Sequence, residues 1–152
     1  MTGTTVPLSF DVTAAPAAAD LAAVDAWLDA FNQGHAALAD VRPLSVFGRA
    51  EGGRVIAGAV GRTWGDCCEL QQLAVDPARR GQGMGQQLLQ EFEAAAAARG
   101  CSLVYLDTFS FQAPRFYQRA GYRVVLETRG YTQGTVKYTM HKVLMSAITT
   151  AD

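Results

Sequence analysis

The chain has 152 residues, 49% apolar and 18% charged, which suits one domain spanning 1–152 with a sizeable core and excludes disordered and collagen-like classes. Thirteen Lys and Arg against fourteen Asp and Glu leave a net charge of −1, and a nucleic-acid reader would instead present a strongly basic face to phosphates. Three Cys with two adjacent, no basic and apolar leader, and no apolar run near the ~18 residues of a membrane span predict a cytoplasmic protein away from the membrane.

Residues 8–12 alternate apolar and polar and predict a short strand. Pro16 suits the first turn of a helix, in which Leu21, Val24, Leu28 and Phe31 form one apolar stripe and Asp25 and Asp29 share another face. Asn32 and Gly34 end it, and residues 35–43 predict a further short helix before Pro43. From Leu44 the period falls to two. Residues 44–49, 55–63 and 67–75 read as strands separated by short turns, hence an antiparallel meander. A Gly-rich turn then opens a long helix over 82–99, with Leu88, Leu89, Phe92, Ala95 and Ala96 on one face and Gly100 as its stop. Residues 103–107 predict a strand, 113–120 a short helix halted by Gly121, and 122–127 and 136–144 two last strands. The sum is an α/β chain of about seven strands and four helices.

The segment Arg79-Arg80-Gly81-Gln82-Gly83-Met84-Gly85 stands between a strand and a helix. Glycines there let unpaired backbone N–H groups approach an anion closely, and the helix dipole favours negative charge at that end. A Walker A loop would need Gly-Lys followed by Ser or Thr, and a dinucleotide fingerprint would need Gly where Gln86 stands. A glycine loop that merely turns a corner is the remaining alternative.

Three stretches carry a more specific likeness. Arg80 to Gly85 is similar to the Gln/Arg-x-x-Gly-x-Gly/Ala signature of the GNAT superfamily, the acetyl-coenzyme A dependent N-acetyltransferases. Leu73-Ala74-Val75-Asp76-Pro77 resembles that family's strand before the loop, and 113–122 resembles its second cofactor motif, with correct order and spacing from 69 to 122. The resemblance implies a twisted, mostly antiparallel sheet flanked by helices, with the cofactor-binding core at 69–122 and the acceptor side near 1–43. It implies acetyl-coenzyme A as co-substrate, while the two His, far apart in sequence and paired with no recognisable Cys spacing, predict no metal site. The backbone of Leu73, Ala74 and Val75 would pair with the pantetheine arm. Arg80, Gly81, Gln82, Gly83, Met84 and Gly85 would hold the pyrophosphate, with Phe116 beside them, in a gap where neighbouring strands splay. Many members carry Asn where this chain has Ser110, whose shorter reach places that contact in question. A catalytically silent acyl-coenzyme A sensor on the same fold is the alternative function.

Two catalytic candidates follow from the same likeness. Tyr117 stands where many members use a Tyr toward the departing thiolate; a phenol of pKa ~10 yields its proton to a thiolate of pKa ~8.5 only uphill, by ~2 kcal/mol, so hydrogen bonding serves as well as full transfer. Phe116 is the aromatic expected to pack its helix on the sheet. Glu69 lies eleven residues before Arg80, the spacing at which histone-acetylating members place a catalytic Glu, and strict alternation would put Glu69, Gln71, Leu73 and Val75 on one face. A water relay is the alternative base. Cys67 and Cys68 as acyl nucleophiles, His35 as a base and Asp107 as a substrate contact are weaker readings than buried, surface and capping roles. The resemblance implies an acceptor that is a primary amine of a small molecule or protein. Residues 1–41 carry five Asp and no Lys or Arg, a charge of −5 against +4 for the rest, which points to a cationic amine such as a polyamine, aminoglycoside or protein Lys. Homodimerisation is an expectation carried by the resemblance alone.

Overall fold

The computed structural model describes residues 8–145, which fall into two compact units divided between Leu38 and Ala39. In the first unit, helix α1 (Ala18–Asn32) begins after Ala17 and ends where Gln33 N–H donates to the Asp29 carbonyl at 2.8 Å; none of its residues is buried. Residues 8–12 form no strand: Leu8, Phe10 and Val12 are more than four-fifths exposed. Alternation gives a strand two faces but does not supply a ladder, and among the described residues no neighbouring strand completes one. The predicted helix over 35–43 shrinks to a 3₁₀ turn at Ala36–Asp40.

Among the described residues the second unit is one six-stranded sheet with two α-helices. The strands are β1 (Arg42–Arg49), β2 (Val55–Trp64), β3 (Cys67–Val75), β4 (Leu103–Phe109), β5 (Arg123–Thr128) and β6 (Lys137–Val143). Their order is β1-β2-β3-β4-β6-β5, and all pairs are antiparallel except β3 with β4. Helix α2 (Met84–Ala98) makes the crossover between the parallel pair, and the short α3 (Pro114–Arg119) follows β4.

The core lies between α2 and one face of the sheet. Leu88, Leu89, Phe92 and Ala96 recur at helical spacing and pack with Ala57, Ala59, Cys68, Leu70, Val104, Leu106 and Met140. Each large side chain so buried contributes about 1.5–3 kcal/mol. The small residues of β2 let the helix approach closely. At Gly61 even one methyl group would run into the Glu69 carbonyl and come within 2.9 Å of the Phe92 ring.

That close approach coincides with a β-bulge. Gly61 pairs with Leu70, but its neighbour Val60 pairs with Gln72, so Gln71 has no counterpart on β2. The extra residue shifts the alternation of β3 by one. Cys68 and Leu70 face the core before it, and Leu73 and Val75 pack against the core after it. Glu69 therefore lies on the sheet face opposite Leu73 and Val75, which corrects the single shared face that strict alternation predicts.

Candidate functional site

The parallel ladder between β3 and β4 is short. It runs from Cys67 opposite Leu103 to Leu70 opposite Leu106 and goes no further, although β3 continues to Val75. Beyond Leu70 the edge of β3 that faces β4 has no ladder partner, whereas its other edge stays paired to β2 as far as Val75 opposite Ala57. An open edge of this kind can accept an extended polar ligand as an added strand.

The Gly-rich turn closes one end of the opening. Asp76 starts it by accepting from Ala78 N–H at 3.0 Å and pairing with Arg54 at 3.2 Å. The Ala78 hydrogen bond, then that of Arg54, hold its carboxyl below the ordinary carboxylate range. Gly81 and Gly83 have φ of +76° and +75°, the left-handed region in which a side chain is strained, and Gly83 leads into α2 with no side chain capping the helix. The first N–H groups of a fifteen-residue helix are thus left open to a ligand.

Between the open edge, this turn and α3 lies a cavity of about 740 Å³. It is lined by Leu73, Ala74, Val75, Arg80, Gly81, Gly83, Met84, Gly85 and Phe116, nine of the residues singled out from the sequence, and also by Arg79, Gln86, Ala113, Arg119 and Ala120. Three guanidinium groups and a helix N-terminus give the cavity a positive field, while Leu73, Val75, Met84 and Phe116 give it apolar surface. This donor set suits a ligand with phosphates at one end and an uncharged arm at the other, as coenzyme A has. Arg80 is steadied by its Nε, which donates to the Val75 carbonyl at 3.4 Å. Arg119, in the last turn of α3, joins this lining through the fold, and no local sequence pattern marks it.

Gln82 and Ser110 are not among the lining residues. Ser110 is bound to the start of β6, its Oγ accepting from Val136 N–H at 3.1 Å and its own N–H donating to the Val136 carbonyl at 2.8 Å. Tyr117 is buried, and burial raises the pKa of its phenol. Its ring meets those of Phe116 and Tyr122 edge-to-face at 5.1 and 5.7 Å, and its hydroxyl bonds to no side chain or backbone group among the described residues. The packing role expected of Phe116 is thus shared with Tyr117, while Phe116 reaches the cavity wall.

Glu69 opens onto a second hollow, of about 350 Å³, on the opposite face of the sheet, with Arg62, Trp64, Gly65, Cys67 and Tyr105 around it. Its Oε2 accepts from Arg62 Nε at 2.7 Å, across the hairpin register that sets these two residues opposite each other. Tyr105 lies next to Glu69 in the parallel register, and its pKa is raised first by burial and then by the Glu69 charge. This cluster escapes a linear reading because only the sheet register brings 62, 69 and 105 together.

The weaker candidates have ordinary roles. Asp107 accepts from Thr139 Oγ1 at 2.6 Å and pairs with Lys137 at 2.9 Å; burial works to raise its pKa, but these two partners prevail and lower it. Cys68 is fully buried, and burial pushes its thiol up to about 12. His141 has its ring 6.2 Å from that of Tyr105, and His35 lies against Phe31 at 5.5 Å. Asp40, one of the five early carboxylates, accepts from Gly65 N–H at 2.9 Å and so pins the turn between β2 and β3. Among the described residues no helix is long and apolar enough to cross a membrane, and no three His, Cys, Asp or Glu side chains are grouped to hold a metal ion.

Comparison with known proteins agrees with this architecture. Residues 16–122 match the Acetyltransferase (GNAT) family. Blasticidin-S acetyltransferase of Streptomyces morookaense is 35% identical over 109 residues, covering 69% of this chain and 80% of the relative. A crystal structure of an acetyltransferase from Bacillus cereus is 27% identical, with a TM-score of 0.72 over 88% of this chain and 98% of the other. A structure from Agrobacterium tumefaciens is 29% identical, with a TM-score of 0.78 over 90% and 100% of the two chains. The chain belongs to the GNAT acetyltransferase family and is an acyltransferase.

Proposed function

We propose that the chain moves an acetyl group from acetyl-coenzyme A to a primary amine of a small molecule or protein, by direct attack with both substrates bound. The observation that supports this reading most is the interruption of the sheet beyond Leu70, flanked by a cationic, glycine-lined cavity on one side and by Glu69 on the other. The co-substrate supplies an acetyl group already activated as a thioester. The open edge from Gln71 to Val75 binds the arm, and Arg79, Arg80, Arg119 and the N–H groups of α2 bind the phosphates.

Glu69 accepts the proton that an amine must lose in order to attack. A Lys-like amine of pKa ~10.4 is uncharged in only about one part in 10³ at pH 7, so the gain from a positioned base is large. Arg62 holds one carboxylate oxygen, and Oε1 has no partner among the described residues. Tyr117 hydrogen-bonds or protonates the thiolate; burial raises the pKa of its phenol, which makes full transfer still more uphill and favours the hydrogen bond.

Release of free thiol from acetyl-coenzyme A, followed across a panel of amines that includes blasticidin S, tests the activity. Glu69→Gln keeps the size of the side chain and removes the basic oxygen. It should lower kcat/KM at least ~10²-fold at pH 7 and recover part of that loss as the pH rises and free amine increases. A mutant whose pH profile overlays that of the wild type would remove Glu69 as the base in favour of a water relay. Initial-velocity lines that run parallel rather than intersect would overturn direct attack.

A further inference from the structure

The geometry points to an acceptor that carries a carboxylate beside its amine, an α-amino acid with an apolar or aromatic side chain, seated in the hollow around Glu69 and recognised by Arg62. This rests on the proposed role of Glu69 and specifies the substrate of that same site. Arg62 uses only Nε to hold Glu69, and its two terminal nitrogens have no partner among the described residues although the side chain lines the hollow. An unpaired guanidinium fork matches a carboxylate in shape and charge, and no other residue type offers two parallel donors in that geometry. Beside it, Oε1 of Glu69 is free to accept from the ammonium. The pair therefore presents one positive and one negative contact side by side, the complement of a zwitterion.

The walls fit the rest of such a molecule. Trp64 and Tyr105 offer aromatic surface, and Gly65 leaves the rim between them without a side chain. The rim is fixed, because Asp40 accepts from Gly65 N–H at 2.9 Å and the Asp66 carbonyl accepts from Ser102 N–H at 2.8 Å. At about 350 Å³ the hollow is at the small end of ligand pockets, which run from ~300 to 1,000 Å³, so it suits one amino acid better than a protein surface. A polycation fits poorly, since Arg62 would repel its second charge.

The test compares acceptors that differ by one group. L-Phenylalanine and phenethylamine share ring and amine and differ by the carboxylate, and spermidine serves as the polycation. With acetyl-coenzyme A saturating, wild type should favour phenylalanine over phenethylamine by about 10-fold to 100-fold in kcat/KM, the value of hydrogen bonds to a charged group. Arg62→Gln should bring that ratio close to one, and Arg62→Lys should restore part of it. Because loss of Arg62 also disturbs Glu69, both rates fall in Arg62→Gln; the ratio separates recognition from a general loss. Glu69→Gln should lower both rates and keep the ratio. An unimpaired Glu69→Gln with the ratio intact would remove the base and leave the carboxylate seat standing. The proposal is overturned if phenethylamine or spermidine is used as well as phenylalanine, or if the ratio survives Arg62→Gln. It is equally overturned if millimolar phenylalanine gives neither turnover nor a fluorescence change that Trp64→Phe removes.

Discussion

Replacing Gly61 by Ala probes the feature on which both faces of the site depend. The new methyl would meet the Glu69 carbonyl of the facing strand and the Phe92 ring at 2.9 Å, so the bulge must open or Phe92 must leave its place in the core. Phe92 is fully buried among the close-packed side chains of the core. Overpacking costs ~1–3 kcal/mol, and a backbone obstacle puts this site at the upper end. The stiffer unfolded chain of an Ala variant returns ~0.4–1 kcal/mol, which leaves a net loss of about 2 kcal/mol. For a domain of this size each kcal/mol moves Tm by ~2–4 °C, so Tm should fall by about 4–8 °C while the protein remains folded at 25 °C. Thermal unfolding by circular dichroism reads the shift, and the KM for acetyl-coenzyme A should rise as Leu73 and Val75 move out of register. Gly58→Ala is the control: the one tight contact of its methyl would be with the ring of Phe47, at 3.1 Å, a half-exposed side chain that can turn away, while the Val46 carbonyl at 3.9 Å is an ordinary contact. A Gly61→Ala protein that unfolds within ~2 °C of wild type would refute the close approach, since overpacking there would then cost less than ~1 kcal/mol.

Gly85→Glu should abolish acetyl-coenzyme A binding by calorimetry without unfolding the protein. The first carbon of the new side chain has ordinary 3.7 Å contacts with Phe116 and Val75, and its carboxylate would add a negative charge to the cavity that Arg79, Arg80 and Arg119 line; near-wild-type affinity would mean that the cavity does not hold the phosphates. Tyr117→Phe should lower kcat by ~10²-fold or more with a much smaller change in cofactor affinity, and an unchanged kcat would reduce Tyr117 to its edge-to-face packing. Cys68, its thiol pushed up to about 12 by burial, is ionised to about one part in 10⁴ at pH 8. It should stay unlabelled by iodoacetamide in the native protein and react on unfolding, as read by mass spectrometry; rapid native labelling would contradict the buried placement.

The sheet was legible in the sequence because its signals are local. Gly65-Asp66 before and Asp76-Pro77 after delimit residues 67–75 to the residue, and the glycines at each end of α2 place it within two residues at its start and one at its end. Residues 8–12 were misread because alternation reports that a segment could line a sheet, while a ladder depends on a neighbour no local pattern announces. The cofactor cavity was legible for a different reason. Much of it is built from one continuous run, 73–85, in which Gly81 and Gly83 are required by backbone conformation rather than by distant contacts.

The face opposite was largely hidden, and Gln71 explains why. A bulge is a mismatch in counting between two strands, so nothing in 67–75 alone marks it; the trace it leaves is on β2, at Gly61, the one position there that cannot carry a side chain. Had β3 alternated strictly, Glu69 would have faced the core with Leu73 and Val75, an ionised group among Leu88, Leu89 and Phe92 at a cost of several kcal/mol. With the extra residue, the half of the strand that ends at Leu70 turns its carboxylate outward to Arg62, and the half that begins at Leu73 turns its apolar side chains inward beside the larger cavity. One strand thereby serves two faces, and the ladder to β4 stops at Leu70, beside the same residue. The position of Gly61 is therefore as much a part of the site as any side chain that lines it.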